Sequence, residues 1–276
     1  MEKEYVVGVD IGGQSTKIGV VDRRGNIVCQ TVITSKYEAD QGDIFLKSIS
    51  DTILKLTEEV GFESIYGVGI GAPNGNYYRG TIEDAANLPW CKGKVVYLAD
   101  TISSQLNGIP VTVTNDANAA AVGEMTYGAA RGMKNFIMIT LGTGVGSGII
   151  VNGELVYGHD GFAGELGHTC CVRENGRVCG CGKKGCLEAY TSAIGVARTA
   201  REWLEFSKEP SLLRNIEEIT SKDVYEAALE GDKIAIEVFN YTGKKLGEKF
   251  ADFVSFSAPE AIVLFGGLAR AGKFIM

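Results

Sequence analysis

Positive charge, proline and long apolar runs are all scarce in this chain of 276 residues. Its 27 Lys and Arg are outnumbered by 34 Asp and Glu, which gives a formal net charge of -7. A generic nucleic-acid surface needs clustered Lys and Arg to neutralise phosphates, so this composition argues against nucleic acid and favours a small-molecule partner. Nothing in the sequence resembles a transmembrane run, and the start, Met-Glu-Lys-Glu-Tyr, has no signal-peptide shape. We expect a cytoplasmic protein without a membrane partner.

Only five prolines stand against 37 glycines, and no low-complexity linker divides the chain. So many glycines imply tight turns, or close approaches of the backbone to another group. The hydrophobic fraction of 45% with 22% charged residues is that of a soluble globular protein, and the length allows two domains.

The segment from Glu165 to Glu188 carries the most specific chemical signal. One imidazole and three thiols in it match the donor set of a closed, tetrahedral structural zinc site: His168, Cys179, Cys181 and Cys186. The Cys-x-Cys and x4 spacings are less common in such sites than Cys-x2-Cys. A zinc ion bound there would hold the two flanking glutamates near each other.

Other uses of these cysteines stay open. Seven cysteines are an odd count, and a reducing compartment favours metal binding over disulfides. An iron–sulfur cluster is the main rival to zinc. Cys170 and Cys171 lie close enough to His168 in the sequence to be alternative ligands, whereas Cys29 and Cys91 are interpreted as ordinary small apolar residues.

Two glycine-rich hairpins in the sequence resemble each other. In each, an apolar strand leads into a Gly/Thr/Ser turn, a second apolar strand begins at Gly19 or Gly148, and a tight turn follows at Arg24-Gly25-Asn26 or Asn152-Gly153. Two similar hairpins suggest two similar domains. We place them at residues 1–116 and 117–276, with a cleft at their shared interface.

Helical and strand patterns alternate along the rest of the chain. Helices are predicted at Asp43 to Val60, Asn115 to Tyr127, Ser192 to Glu205, Lys222 to Glu230 and Asp232 to Phe253. Strands are predicted at Ile65 to Ile70, Val111 to Val113, Asn135 to Leu141 and Ala261 to Phe265. This alternation predicts an α/β protein with mixed sheets.

The two glycine turns favour phosphate binding, because backbone N–H groups after a strand can cradle phosphate oxygens and hydroxyls add donors. The candidates are Gly12, Gly13, Ser15 and Thr16 in the first turn, and Gly142, Thr143 and Gly144 in the second. Asp10, at the end of the first strand, could hold a hydrated Mg²⁺. A glycine turn most often only reverses the chain, and an Asp there caps it. Neither turn matches a P-loop or a dinucleotide-binding fingerprint.

Five segments taken together resemble the ROK family, the bacterial sugar kinases and sugar-responsive repressors built on the actin/hexokinase fold. They are Asp10-Ile-Gly-Gly-Gln-Ser-Thr, Asn115-Asp116-Ala-Asn-Ala-Ala, Leu-Gly142-Thr-Gly-Val-Gly, Ala-Gly-Glu165-Leu-Gly-His168 and Cys179-Gly-Cys-Gly-Lys-Lys-Gly-Cys186-Leu-Glu188. The resemblance covers nearly the whole chain in order, and the Cys/Glu motif is highly specific. It implies a two-domain actin-like ATPase fold (a duplicated ribonuclease H-like fold), with ATP, Mg²⁺ and structural Zn²⁺ bound, and a homodimer.

The resemblance also implies roles for single residues. Asp116 would be the general base that takes the proton from the sugar hydroxyl, with an N-cap of the following helix as its plain alternative. The sugar would be bound by Asn87, Asn115, Asp116, Glu165, His168 and Glu188, with His168 also ligating zinc. Glu165 and Glu188 could instead be solvated surface acids. The Gly266-Gly267 pair would contact the adenosine, or simply end a strand.

Two departures from the family pattern bear on these hypotheses. Repressor members carry a helix-turn-helix domain before the first phosphate turn, whereas Asp10 follows only nine residues, so we expect no DNA binding. The chain also stops soon after Gly267, where the family has a further C-terminal segment.

Our first hypothesis is an ATP-dependent hexose kinase acting on glucose, with N-acetylmannosamine, N-acetylglucosamine or another hexose as the alternative substrate. The second hypothesis is a catalytically weak sugar-binding sensor, and the third is an ATPase switch with an iron–sulfur cluster.

Overall fold

The computed structural model describes residues 3–275, and the chain folds as two compact units. The first unit contains the residues up to Gly128 together with Val156–Ala163, and the second contains Ala129–Leu155 and the residues from Gly164 onward. Each unit has its own hydrophobic core. Among the described residues, no helix combines the length and the apolar character needed to cross a bilayer.

The first unit contains eight strands and three α-helices within its described residues. The strands are β1 (Tyr5–Ile11), β2 (Ser15–Asp22), β3 (Ile27–Thr34), β4 (Ile65–Ala72), β5 (Gly75–Asn76), β6 (Thr81–Glu83), β7 (Val95–Val96) and β8 (Val111–Asn115). The helices are α1 (Gly42–Leu56), α2 (Leu98–Gln105) and α3 (Asp116–Tyr127). The main sheet has the order β3-β2-β1-β4-β8, and β5, β6 and β7 form a small second sheet.

Side-chain alternation along β1 builds the core of the first unit. Val7, Val9 and Ile11 are buried while the residues between them are not, as expected for a strand with one face on the core. Helix α1 adds Phe45, whose ring lies 4.8 Å, centroid to centroid, from that of the buried Trp90. Each such side chain stabilises the fold by about 1.5–3 kcal/mol on full burial. This packing fixes β1, and with it the residues at its carboxyl end.

The second unit contains four strands and four α-helices within its described residues. The strands are β9 (Phe136–Leu141), β10 (Val145–Val151), β11 (Glu154–Leu155) and β12 (Ala261–Phe265), in the sheet order β11-β10-β9-β12. The helices are α4 (Glu188–Thr191), α5 (Ala193–Phe206), α6 (Ser221–Leu229) and α7 (Lys233–Ser257). Side-chain caps start the last three, where Ser192, Thr220 and Asp232 accept backbone N–H bonds from the first turns of α5, α6 and α7.

One strand arrangement occurs in both units. In the first, β1 pairs antiparallel with β2 and parallel with β4. In the second, β9 pairs antiparallel with β10 and parallel with β12. The similarity that the two glycine-rich hairpins show in sequence is therefore also present in the sheet topology.

Most predicted elements are confirmed, with shifts at their ends. Strand β12 has the predicted bounds, and α3 ends at Tyr127 before Gly128 as predicted. Helix α1 ends at Leu56 rather than Val60, and α7 continues to Ser257. The sequence patterns missed α2, which is short and buries only Leu98 and Ile102 within its span.

The boundary between the two compact units does not lie at Asp116. Helix α3 packs on β4 and β8, so it belongs to the first unit, and the boundary follows Gly128. Compact packing alone does not define a functional domain. The predicted domain limits, residues 1–116 and 117–276, stay a prediction.

Candidate active site

Two aspartates lie at one edge of the main sheet in the first unit. Strands β1, β4 and β8 are parallel neighbours, so their carboxyl ends meet at this edge. Asp10 lies near the end of β1 opposite Gly71 of β4, and Asp116 follows directly after β8 as the first residue of α3. Both aspartates are exposed. Open α/β sheets bind their ligands beyond the carboxyl ends of parallel strands, so the two residues occupy a position suited to chemistry.

A small residue lets α3 begin close to the sheet. A Cβ atom added to Gly71 would lie 3.4 Å from Asp116 Cα and 3.3 Å from the Ala119 Cβ. Asn115 is the N-cap of α3, because its side-chain oxygen accepts a hydrogen bond from the N–H of Ala117 at 2.8 Å. Asp116 Oδ1 accepts from the same N–H at 2.9 Å. The capping role that the sequence left open for Asp116 therefore belongs to its neighbour.

The surroundings of Asp116 raise the pKa of its carboxyl group. The largest cause is desolvation, because surrounding protein atoms displace part of the water that would stabilise the charge even though the residue keeps exposed surface. The Asp10 carboxylate adds like-charge repulsion. The hydrogen bond from Ala117 acts in the opposite direction but does not cancel them. The side chain stays accessible to solvent. An accessible carboxylate with a raised pKa is suited to accept a proton near neutral pH.

The first glycine turn joins β1 to β2 and contacts Asn87. The Gly12 N–H donates to the Ser15 carbonyl at 3.0 Å, so this amide closes the turn itself. A Cβ atom added to Gly13 would lie 3.1 Å from the Asn87 carbonyl oxygen and 3.5 Å from its side-chain nitrogen. Glycine is thus needed for Asn87, one of the predicted sugar-binding residues, to approach the turn.

Thr16 lies in the interior rather than at the surface of this turn. Its side chain is fully buried, and its hydroxyl is hydrogen-bonded to that of Ser35 at 2.7 Å. Because the side chain is fully buried, its hydroxyl has no exposed surface on which to contact a phosphate. The predicted phosphate role of Thr16 stays a prediction.

The second glycine turn, between β9 and β10, is held by three contacts within the second unit. The Gly142 N–H donates to the Gly144 carbonyl at 3.0 Å, and the Gly142 carbonyl accepts from Ala193 N–H at 2.8 Å. Glu188 Oε2 accepts a hydrogen bond from the Val145 N–H at 2.9 Å. A Cβ atom at Gly144 would lie only 2.6 Å from that oxygen, so a side chain there would displace the carboxylate.

The predicted adenosine-binding pair lies beside this turn. Gly266 has φ of +102°, and a Cβ atom there would come within 2.5 Å of the Leu141 carbonyl oxygen. Both the left-handed backbone and the close approach require glycine. The predicted pair Gly266–Gly267 and the turn that begins at Gly142 are therefore adjacent in the second unit.

The four predicted zinc ligands form one cluster in the second unit, with ligand atoms that all lie within 4.8 Å of one another: His168, Cys179, Cys181 and Cys186. Cys181 Sγ lies 3.7 Å from Cys186 Sγ, and Cys179 Sγ lies 3.7 Å from His168 Nδ1. Two sulfurs bound at about 2.3 Å to a tetrahedral zinc ion lie roughly 3.8 Å apart. The donor set and its spacing therefore fit a tetrahedral zinc ion.

The thiol environments differ within the cluster. Burial raises the pKa of the Cys179 thiol, with the Glu188 carboxylate adding to the effect. At Cys181 burial acts in the same direction, but the Lys183 N–H and the neighbouring thiols lower its pKa overall. The lowered pKa of Cys181 favours its thiolate, which is the form that binds a metal ion.

Two glycines allow residues 165–188 to fold against themselves; this stretch is called the metal-binding segment for its predicted role. Gly185 has φ of +77°, and a Cβ atom there would overlap the Val172 carbonyl oxygen at 1.8 Å. A Cβ atom at Gly176 would lie 2.6 Å from Gly185 Cα. The close crossing brings Cys170 opposite Cys186 in an isolated antiparallel bridge. The cluster geometry thus depends on residues that carry no side chain.

Cys170 and Cys171 lie outside the four-residue cluster. Cys170 is exposed, and its thiol lies 3.5 Å from the Val172 carbonyl oxygen. Cys171 packs partly buried against the core of the second unit, and this burial raises the pKa of its thiol. The geometry therefore favours Cys179, Cys181 and Cys186 as the thiol ligands.

The two ring nitrogens of His168 face different partners. Nδ1 lies 3.7 Å from Cys179 Sγ, whereas Nε2 lies 3.9 Å from Glu165 Oε2. A metal on Nδ1 would leave the Nε2–H as a donor on the side of Glu165. The two roles predicted for His168, zinc ligation through one nitrogen and sugar binding through the other, stay predictions.

Sequence reasoning did not find the position of Glu188 between the cluster and the second glycine turn. Its Oε1 accepts from the Cys179 thiol at 3.3 Å, while Oε2 accepts from the Val145 N–H. One carboxylate therefore links the metal-binding segment to the turn. Val145 and Glu188 are 43 positions apart, and no spacing rule relates them.

The structure has two α/β units, each built around a glycine-turn hairpin, with exposed aspartates in the first and a His/Cys cluster in the second. Together these features define an actin-like ATPase fold. The chain belongs to the ROK family, whose model matches residues 6–276. A glucokinase from Halalkalibacterium halodurans is 37% identical to it, and the alignment covers 100% of this chain and 84% of that protein.

Solved structures with high similarity come from the same family. The structure of a ROK family glucokinase from Streptomyces griseus in complex with glucose and AMPPNP matches with a TM-score of 0.77 and 35% identity, covering 98% of this chain and 86% of that one. A ROK family transcriptional regulator, a homologue of the E. coli MLC protein, matches with a TM-score of 0.85 and 28% identity, covering 98% and 67%. The predicted family and fold class are confirmed.

Proposed function

We propose that this protein is an ATP-dependent hexose kinase that transfers the γ-phosphoryl group of ATP to the 6-hydroxyl of glucose. The observation that carries the proposal is the position of Asp116, accessible at the carboxyl edge of the main sheet with a raised pKa and with Asp10 near it. The 37% identity to a glucokinase along the whole chain supports glucose as the acceptor.

In this mechanism Asp116 accepts the proton of the attacking sugar hydroxyl. As the oxygen forms its bond to the γ-phosphorus, the bond to the leaving oxygen of ADP breaks and the proton passes to the carboxylate. Asn115 caps α3 and so holds the next residue at the start of the helix. Because general-base catalysis is a matter of position as well as pKa, this cap is part of the site.

Asp10 is the residue that would hold Mg²⁺. Its carboxylate is exposed near the end of β1, two residues before Gly12, where the turn starts. Carboxylates are the ligands that Mg²⁺ takes beside phosphate oxygens and water, so the residue fits the ion. Bound there, the ion would neutralise charge on the nucleotide phosphates.

The backbone of the two glycine turns would bind the phosphates. Since the amides of Gly12 and Gly142 close their own turns, the cradle depends on the residues that follow them, Gly13 with Ser15 and Thr143 with Gly144. Gly266 and Gly267 would border the adenosine, as their position beside the second turn supports.

The sugar-binding residues are proposed as two groups, one in each unit. Asn87 and Asn115 belong to the first unit with Asp116, and Glu165, His168 and Glu188 belong to the second. Carboxylates, amides and an imidazole N–H pair well with vicinal hydroxyls. His168, Cys179, Cys181 and Cys186 would hold a structural Zn²⁺ that keeps the second group in place.

The experiment is ADP production from Mg-ATP across a panel of hexoses, with wild type, Asp116→Asn and Asp43→Asn. Asp43 is an exposed aspartate in the first turn of α1, so it controls for a lost helix-terminal charge. We expect glucose-dependent turnover that falls about 10²–10⁴-fold in Asp116→Asn and is unchanged in Asp43→Asn. Equal rates in wild type and Asp116→Asn would contradict the assignment of the base.

A sugar-binding regulator is the second candidate, supported by the structural match to a ROK family transcriptional regulator. This candidate predicts that calorimetry detects glucose binding and that no ADP forms from Mg-ATP with any sugar of the panel. N-acetylmannosamine and N-acetylglucosamine in the panel test the alternative substrates.

The homodimer, the cytoplasmic location and the lack of nucleic-acid binding stay predictions. Light scattering of the purified protein would test the homodimer.

A further inference from the structure

One buried arginine of the metal-binding segment has no part in the proposed chemistry. Arg177 lies two residues before Cys179, and its side chain is only 9% exposed. Burying a guanidinium is costly unless its donors are satisfied, so its partners indicate what the residue is for.

The guanidinium of Arg177 connects the segment to two helices. Its Nη1 donates to the Ala189 carbonyl in α4 at 3.1 Å and to the Thr199 hydroxyl in α5 at 2.9 Å. Its Nη2 is paired with the carboxylate of Glu202, also in α5. Partial burial acts to raise the pKa of Glu202, yet hydrogen bonds from Arg198 and Arg177 lower it overall, so the pair is ionised.

Tyr190 completes the attachment on the other side. The central guanidinium carbon of Arg177 lies 4.6 Å from the centroid of the Tyr190 ring, and the Arg177 backbone N–H donates to the Tyr190 hydroxyl at 2.8 Å. Both side chain and backbone of Arg177 are therefore fixed to α4. The planar guanidinium group donates several hydrogen bonds and stacks on the ring at the same time, which the ammonium group of lysine cannot do.

These contacts lie next to the contact between Cys179, a predicted metal ligand, and Glu188. Helix α4 starts at Glu188, one residue before the Ala189 carbonyl that Arg177 binds, and Cys179 follows Arg177 by two residues. Between these two attached positions, Cys179 Sγ lies 3.3 Å from Glu188 Oε1. Because Glu188 also binds the Val145 N–H, the same attachment extends to the second glycine turn.

We propose that Arg177 is a positioning residue that assembles the metal ligands and Glu188 by attaching the segment to α4 and α5. It acts through Cys179 and Glu188 and touches neither metal nor substrate. The effect on metal binding is independent of the proposed kinase function, whereas the effect on sugar use rests on it.

The first test measures metal affinity in Arg177→Met and Arg177→Lys, with Arg173→Met as control. Arg173 is an exposed arginine of the same segment. Zinc affinity is determined by competition with a chromophoric chelator, and Co²⁺ substitution reports the ligand geometry. We expect the zinc dissociation constant to rise about tenfold or more in both Arg177 variants, as for other groups that orient metal ligands. The tetrahedral thiolate bands of Co²⁺ should broaden, and Arg173→Met should match wild type.

Wild-type zinc affinity in Arg177→Met would overturn the proposal, even with a lowered melting temperature, since the residue would then be merely structural. Recovery of wild-type affinity in Arg177→Lys would show that charge alone suffices and would also contradict it. Should Arg177→Met fail to fold, Tyr190→Phe removes only the hydroxyl that binds the Arg177 N–H. We expect a zinc affinity about two- to fivefold weaker for that variant, and an unchanged one would count against the proposal.

The second test compares kinetic constants with zinc saturating. If kinase activity is present, we expect Arg177→Met to raise the KM for glucose more than the KM for ATP, because Glu188 is one of the proposed sugar-binding residues. An unchanged KM for glucose would contradict a role through Glu188. Absence of turnover in the wild type would refute the proposed function alone, since the zinc measurement does not depend on it.

Discussion

At the scale of single residues, backbone amides fix the carboxylates on which the account depends. Asp116 accepts from the Ala117 N–H and Glu188 from the Val145 N–H. A hydrogen bond to the charged form lowers a carboxyl pKa, whereas burial and a second carboxylate raise it. At Asp116 the raising effects prevail. The protonation of this one residue should therefore be visible in the rate.

We predict that kcat/KM for glucose falls on the acid side with an apparent pKa above the ordinary aspartate value of about 4. The sign follows from the role of Asp116, because a base must be ionised and a raised pKa brings protonation at higher pH. Rates measured between about pH 4.5 and 8 at saturating Mg-ATP would show it. A kcat/KM that stays constant down to the lowest pH of this range would contradict a raised pKa in the enzyme with Mg-ATP bound.

At the scale of elements, short segments were harder to predict than long ones. Strand β12 and helix α3 were predicted from apolar runs, a cap and a following glycine, which are local signals. Helix α2 has too few buried positions to show a period. The metal-binding segment was marked by its cysteines, but its attachment through Arg177 joins residues brought together only by folding. Motifs thus identified the candidate residues, whereas their contacts required the structure.

The segment's dependence on metal gives an element-scale prediction. We expect Cys181→Ala to lose bound zinc and to raise the KM for glucose more than the KM for ATP, since Glu165, His168 and Glu188 would lose their support. Cys170→Ala is the matched control, because this exposed cysteine lies in the same segment and outside the cluster. Metal content by mass spectrometry and steady-state kinetics check both. An unchanged glucose KM after demonstrated zinc loss would show that the metal does not support the sugar site.

At the scale of the whole molecule, the two units contain the same strand arrangement. In each, the first strand of a hairpin also pairs with a parallel strand. Each unit carries its own glycine turn, and the proposed base and metal cluster are divided between them. The repeat was recognisable from sequence because glycine turns and hairpin turns are local. The extent of the units was not, since Val156–Ala163 lies with the first unit although second-unit residues flank it.

The most direct test of the central claim is the stoichiometry of products when the protein is incubated with glucose and Mg-ATP. Glucose 6-phosphate and ADP are quantified in the same sample, by phosphorus NMR and by an enzyme-coupled assay. The account predicts one glucose 6-phosphate for each ADP, with both lost in Asp116→Asn. ADP formed without sugar phosphate would indicate an ATPase, and neither product from a folded protein that binds glucose would indicate a sensor. Either result would contradict the proposal that this protein is a hexose kinase.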